Sequence, residues 1–166
     1  MPTSATTITV PTTRFGEIEV EQQFIIDFPK GILGFEDKHH FVLIDQPEYS
    51  PFMHLQSLDD PSLAFTVVNP RLVFPHYKVQ IDRQEIVELD ARNLDDIITW
   101  VIVTVPADAT RMSANLQGPV LVNRQNNRGK QVVLVRSPYT TRHYLMDEIT
   151  KNATPKKAGV MESSRA

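Results

Sequence analysis

Residues Ile97 to Asn123 read IITWVIVTVPADATRMSANLQGPVLVN, and this stretch decides the fold class. Ile97 to Val105 is a near-continuous apolar run of β-branched residues around Trp100, ended by Pro106. At period two, one face carries Ile97, Thr99, Val101, Val103 and Val105, and the other carries Ile98, Trp100, Ile102 and Thr104. Neither face is polar, so the pattern predicts a central strand covered on both sides. The Val, Ile and Thr content favours a strand over a buried helix. Pro106 to Gln117 then forms a long polar turn, and Pro119 to Asn123 returns as a second short strand.

Working outward, strict alternation in Gly16-Glu17-Ile18-Glu19-Val20-Glu21 predicts a half-exposed strand with three outward glutamates. The segments Phe24–Phe28, Phe41–Asp45, Phe52–Leu58, Leu63–Val68, Tyr77–Ile81 and Gln131–Arg136 read as further strands. An Asn126-Asn127-Arg128-Gly129 hairpin turn is expected before the last of these. Arg83 to Asp96 loses the alternation and predicts one or two short helices, with Asp82 as N-cap and Glu85 three residues on. Many short strands with closely spaced turn signals give an all-β fold, a small closed or partly open antiparallel β-barrel with one or two short helices. Strands apolar on both faces require helices or loops over part of the barrel's outside.

The chain has 166 residues, enough for one domain with a real core. Residues 1–13, rich in Thr, Ser and Pro, are expected to be a disordered or loose N-terminal extension. Residues 14–146 are expected to form the barrel, and 147–166 to be a polar, net basic, mobile tail. The first residues lack the basic start and long apolar segment of a secretory signal, and no apolar run reaches transmembrane length. With 0 cysteines there is no disulfide or thiolate chemistry, which fits a cytoplasmic location. The net charge of −3 hides an asymmetry, because residues 1–150 carry 13 Lys/Arg against 19 Asp/Glu. An acidic body is a poor match for phosphate backbones and a better one for a basic protein partner.

The chemistry-bearing motifs of nucleotide binding, hydrolysis and metalloproteolysis are missing. His39 and His40 are adjacent, so on a strand they point to opposite faces and do not share a metal. Asp59-Asp60, followed by Pro61, reads as a turn rather than a catalytic carboxylate pair. The sequence therefore predicts no enzyme, no metal and no cofactor. The less ordinary features are apolar side chains at turn positions, namely Ile32, Leu33 and Phe35, and Met112. They either tuck onto the core or form a protein-recognition surface.

Four groups of residues, in order, resemble the FliW flagellar assembly factor family. They are Phe28-Pro-Lys-Gly-Ile-Leu-Gly-Phe-Glu36, Leu55-Gln-Ser-Leu-Asp-Asp-Pro61 with Leu63-Ala-Phe65 and Asn69-Pro70, Val103-Thr-Val-Pro106 with Asn115-Leu-Gln-Gly-Pro119, and Gln131-Val-Val-Leu134 with Tyr139. Gly118 stands where alanine is expected in many members. The resemblance covers about residues 14–145 and implies a small β-barrel that binds cytoplasmic flagellin and also the RNA-binding translational repressor CsrA. Flagellin that accumulates unsecreted would occupy such a protein, release CsrA and lower flagellin translation.

On that resemblance, Glu17, Glu19 and Glu21, with the Asp82–Asp96 segment, are expected to contribute to a CsrA face. Phe35, Asn69 and Asn115 are expected to shape a flagellin surface. No direct nucleic-acid or membrane contact is implied, and the outward glutamates favour a monomer. The rival classes are a nucleic-acid-binding barrel, which wants a basic aromatic groove, and a small sugar-binding or hydrolytic β-protein.

Overall fold

A computed structural model of the chain describes residues 6–150. The strand Ile97–Thr104 lies at its centre, for a reason visible in its register. Its second half pairs on one edge with Ala64–Val68 (Thr66 opposite Val103, Val68 opposite Val101). Its other edge is shared, with Val120–Asn123 along the first half (Ile97 opposite Asn123) and Ser113–Ala114 along the last residues. This double pairing closes the sheet.

In chain order the strands are β1 (Thr7–Thr12), β2 (Gly16–Glu21), β3 (Ile26–Asp27), β4 (His40–Ile44), β5 (Met53–Ser57), β6 (Ala64–Val68), β7 (Ile97–Thr104), β8 (Ser113–Ala114), β9 (Val120–Asn123), β10 (Arg128–Gln131) and β11 (His143–Tyr144). The main sheet runs β11-β8-β7-β6-β5-β4-β3-β10-β9, and β9 returns to β7. Its neighbours pair antiparallel except β3 and β10, which meet in parallel through Asp27 and Arg128. The expected all-β, partly closed barrel is the observed one, and the helix α1 (Arg83–Glu88) starts after Asp82 as predicted. Neither half of the expected box forms: Asp82 makes no side-chain cap bond, and the Glu85 carboxylate turns to Lys130.

Alternation along the strands sorts the core into an interior and three outer clusters. Phe28, Phe41, Leu55, Val67, Val120 and Val122 fill the barrel, with Trp100 and Ile102 of β7 packed against them. From the opposite face of β7, Val101 and Val103 pack with Val68, Phe74, Tyr77 and Leu145. Val42 and its neighbours on the outside of β4 are covered by Val10 and Val20 of the β1–β2 hairpin. Leu121 and Val132 are covered by Leu89 at the end of α1. Each large side chain buried this way contributes about 1.5–3 kcal/mol, so the outer coverings stabilise the fold as well as the interior does. They also answer the requirement set by strands that are apolar on both faces.

The structure corrects the sequence reading in several places. Within the stretch 1–13, expected to be loose, Thr7–Thr12 forms β1 and pairs along its whole length with β2. Ile8 and Val10 supply apolar cover, and Pro11 is tolerated because the hairpin is an edge. Gln22–Phe24 is a 3-10 turn, which leaves only Ile26–Asp27 of the predicted Phe24–Phe28 strand. The β9–β10 turn occupies residues 124–127, with Asn127 at φ 55°, so the strand begins at Arg128 rather than after it. Neither Tyr77–Ile81 nor residues 132–136 joins a ladder as a regular strand. At the other end, residues 145–150 are helical and Leu145 is fully packed. The remainder of the expected tail, 151–166, and residues 1–5 lie outside the described residues.

Candidate protein-docking site

The loop Gly31–Phe35 is built to display apolar side chains from a fixed backbone. Gly31 has φ +67°, and a Cβ there would lie 2.6 Å from the Glu36 backbone, so only glycine permits this turn. Ile32 then drops into the barrel end, fully buried, and the Phe35 amide donates to the Ile32 carbonyl at 2.6 Å. Leu33 and Phe35 are left outside, 54% and 37% exposed. The Phe35 ring stands edge-on to Phe65, with centroids 5.3 Å apart. Of the apolar turn residues singled out from sequence, Ile32 and Met112 pack on the core, whereas Leu33 and half of Phe35 do not.

Gln131 fixes this loop. Its Oε1 accepts from the Leu33 amide at 3.0 Å and its Nε2 donates to the Gly118 carbonyl at 2.9 Å. Asn115 organises the other side, its Oδ1 accepting from the amides of Gln117 (3.1 Å) and Gly118 (2.9 Å). Phe35 and Asn115 thus belong to one hydrogen-bonded assembly, although they are 80 positions apart. Gly118 matters locally here. A Cβ on it would lie 2.9 Å from Gln131 Nε2 and 3.0 Å from Asn115 Nδ2, so alanine would displace both amides.

Asn69 lies elsewhere. Its Oδ1 accepts from the Arg71 amide at 3.0 Å and caps the turn Pro70–Leu72. It borders a groove of about 500 Å³ whose apolar wall includes Tyr77, Ile81, Leu94 and Ile98. Burial pushes the Tyr77 phenol above its usual pKa, with the nearby Tyr139 adding to the shift, and its hydroxyl donates to the Leu116 carbonyl at 2.7 Å. Among the described residues, no hydrogen bond or ring contact joins Asn69 to Phe35 or Asn115.

The three glutamates form a row on the outer face of the hairpin, while Ile18 and Val20 face inward. Glu19 accepts from the Thr9 hydroxyl at 2.6 Å and Glu21 from Gln23 at 2.9 Å. The Asp82–Asp96 segment is less acidic in effect than its composition suggests. Glu88 pairs with Lys30 and Lys130, each under 3 Å, and Lys130 also holds Glu85. Hydrogen bonds from Lys30, Lys130 and Gln84 pull the Glu88 carboxyl down to about 2. Asp96 meets Arg124 at 3.5 Å and Gln125 at 3.1 Å.

Asp59 and Asp60 are turn residues, as their sequence suggested. Asp59 accepts the amides of His39 and His40, and Asp60 accepts from Ser62. Gln131 was legible only as part of a motif, with no role attached. A lone polar residue at a strand end gives no signal of what its two amide atoms will bridge.

Comparison with known proteins is specific. The family model described as FliW protein matches residues 9–145. The flagellar assembly factor FliW of Ruminiclostridium cellulolyticum is 41% identical over 143 residues, covering 86% of this chain and 97% of that protein. Those of Geobacter sulfurreducens and Treponema pallidum are 39% and 37% identical, covering 89% and 86% of this chain and 92% and 94% of their own lengths. A crystal structure of the flagellar assembly factor FliW superposes with a TM-score of 0.78 at 36% identity, over 83% of this chain and 96% of that one.

Proposed function

The chain belongs to the FliW family, and from that premise we propose that it binds flagellin in the cytoplasm and antagonises CsrA. It would thereby couple flagellin synthesis to export without performing catalysis. The observation that carries the reading is the Gly31–Phe35 loop, where Leu33 and Phe35 face solvent while Gln131 holds the backbone beneath them. Apolar anchors on a pre-ordered backbone suit docking, since little conformational freedom remains to be lost on binding.

The glutamate row of β2 provides the charge that a basic RNA-binding partner would meet. Because Glu85, Glu88 and Asp96 are held by cations, the CsrA face centres on Glu17, Glu19 and Glu21 rather than on the helix. A partner switch requires that flagellin and CsrA weaken each other's binding, and the coupling must be equal in both directions.

Size-exclusion chromatography of the chain with monomeric flagellin, and separately with CsrA, tests this. Co-elution with each partner is expected, with flagellin co-elution lost in a folded Leu33→Ala, Phe35→Ala double variant. Failure to co-elute with either partner overturns the reading.

A further inference from the structure

Two segments that alternate like strands, 78–82 and 132–136, lie side by side with no ladder between them. Val79 and Ile81 face the core beneath the first, and Val132 and Leu134 beneath the second. Between the segments runs a groove of about 540 Å³ lined by both.

Hydrogen bonds settle which way the backbone of the second segment points. The amides of Val132 and Leu134 donate to the carbonyls of Pro119 and Gln117. In extended chain, alternate residues point their backbone groups to opposite edges. Those of Val133 and Val135 therefore face away from 117–119, toward the groove, and among the described residues they have no partner. The first segment behaves alike. Lys78 donates its amide to the Tyr139 hydroxyl, and the backbone of Gln80, two residues on along the same edge, has no partner among the described residues.

Exposed strand edges are normally blunted by charge, proline or a covering element. This one carries valines, at 49% exposure for Val133 and 75% for Val135. Charge gives the groove a direction. Lys78 and Arg136, which make no ion pair among the described residues, lie toward the Tyr139 end. Asp82 and the Lys130-bound Glu85 lie toward the other.

We infer that this edge is a strand-addition site for an extended segment of a partner protein, with alternating apolar side chains and a carboxylate at the Lys78–Arg136 end. The main chain of that segment supplies the hydrogen-bond groups that Val133, Val135 and Gln80 lack, and its apolar residues cover the two valines. The inference rests on the protein-binding reading above, but not on the identity of either partner.

The probe is a short, fluorescently labelled, acetylated peptide amide alternating valine with threonine and carrying glutamate at one end. Its anisotropy should rise saturably with the whole chain. Affinity should fall about tenfold or more when lysine replaces its glutamate, when its backbone amides are methylated, or in a folded Lys78→Glu, Arg136→Glu variant. Hydrogen exchange should slow at Val133 and Val135 on binding.

Equal affinity for the methylated peptide, or no saturable rise, overturns the inference. So does protection of these amides that depends on protein concentration alone, which assigns the edge to a second copy. If flagellin and CsrA bind while the peptide does not, only this inference falls. If the peptide binds and neither protein does, the edge stands and the proposed function falls.

Discussion

Gln131 and Leu33, 98 residues apart in sequence, are joined by a 3.0 Å hydrogen bond from the Leu33 amide to the Gln131 side chain. The same side chain reaches the Gly118 carbonyl, so one residue ties the exposed loop to the turn held by Asn115.

Replacing Gln131 with alanine removes both bonds. Neutral hydrogen bonds of this kind are each worth about 1 kcal/mol, so the loss should be about 1–2 kcal/mol. Thermal unfolding should show it as a fall of about 2–8 °C. The loop should respond more than the barrel. Hydrogen exchange at Leu33 is expected to quicken while exchange in β4 to β7 stays unchanged, and flagellin affinity should drop with it.

Much of this architecture is legible in the sequence, and its failures share a cause. Period-two alternation reports which way side chains face, and it located β2, β4 to β7 and β9 within a residue or two. It says nothing about which backbone meets which. Tyr77, Val79 and Ile81 do share a face, yet Lys78 gives its amide to Tyr139 instead of a ladder. Two-residue strands such as β8 and β11 have no period to detect. The acidic character of residues 82–96 was plain, but the pairing of Glu85 and Glu88 with Lys30 and Lys130 depends on contacts more than 40 residues away. Phe35 and Asn115 were named from motifs, as was Gln131, but the bonds by which Gln131 unites them were visible only once the chain was folded.

Gly129 tests the packing of the interior. A Cβ there would come within 2.7 Å of the ring of Phe28, which is fully buried. Overpacking of this sort costs about 1–3 kcal/mol. Gly129→Ala should lower the denaturant midpoint without changing the slope, whereas an unchanged midpoint would mean the Phe28 ring moves freely.

Glu88 sets a pH dependence whose sign is fixed. Its carboxyl is lowered to about 2 by hydrogen bonds from Lys30, Lys130 and Gln84. An unfolded glutamate titrates near 4.3. The stabilising contribution is therefore complete above about pH 4.3 and is lost as the pH falls toward 2. Wild type should exceed Glu88→Gln in stability at pH 6, and the gap should close between about pH 4 and pH 2. A gap constant across that range would contradict the assignment.

The glutamate row predicts a kinetic effect. Reversing Glu17 and Glu19 to lysine should slow association with CsrA at low salt and flatten its salt dependence, leaving dissociation nearly unchanged. Both side chains are on the exposed face of β2, so folding should be unaffected. Stopped-flow traces identical to wild type at low ionic strength would remove these residues from the contact.

The central claim is the partner switch, and a calorimetric titration with CsrA before and after saturation with monomeric flagellin addresses it most directly. Tight binding of CsrA to the free chain, with the heat lost or sharply reduced once flagellin is bound, is the predicted result. Undiminished CsrA heat on the flagellin-saturated chain would contradict it.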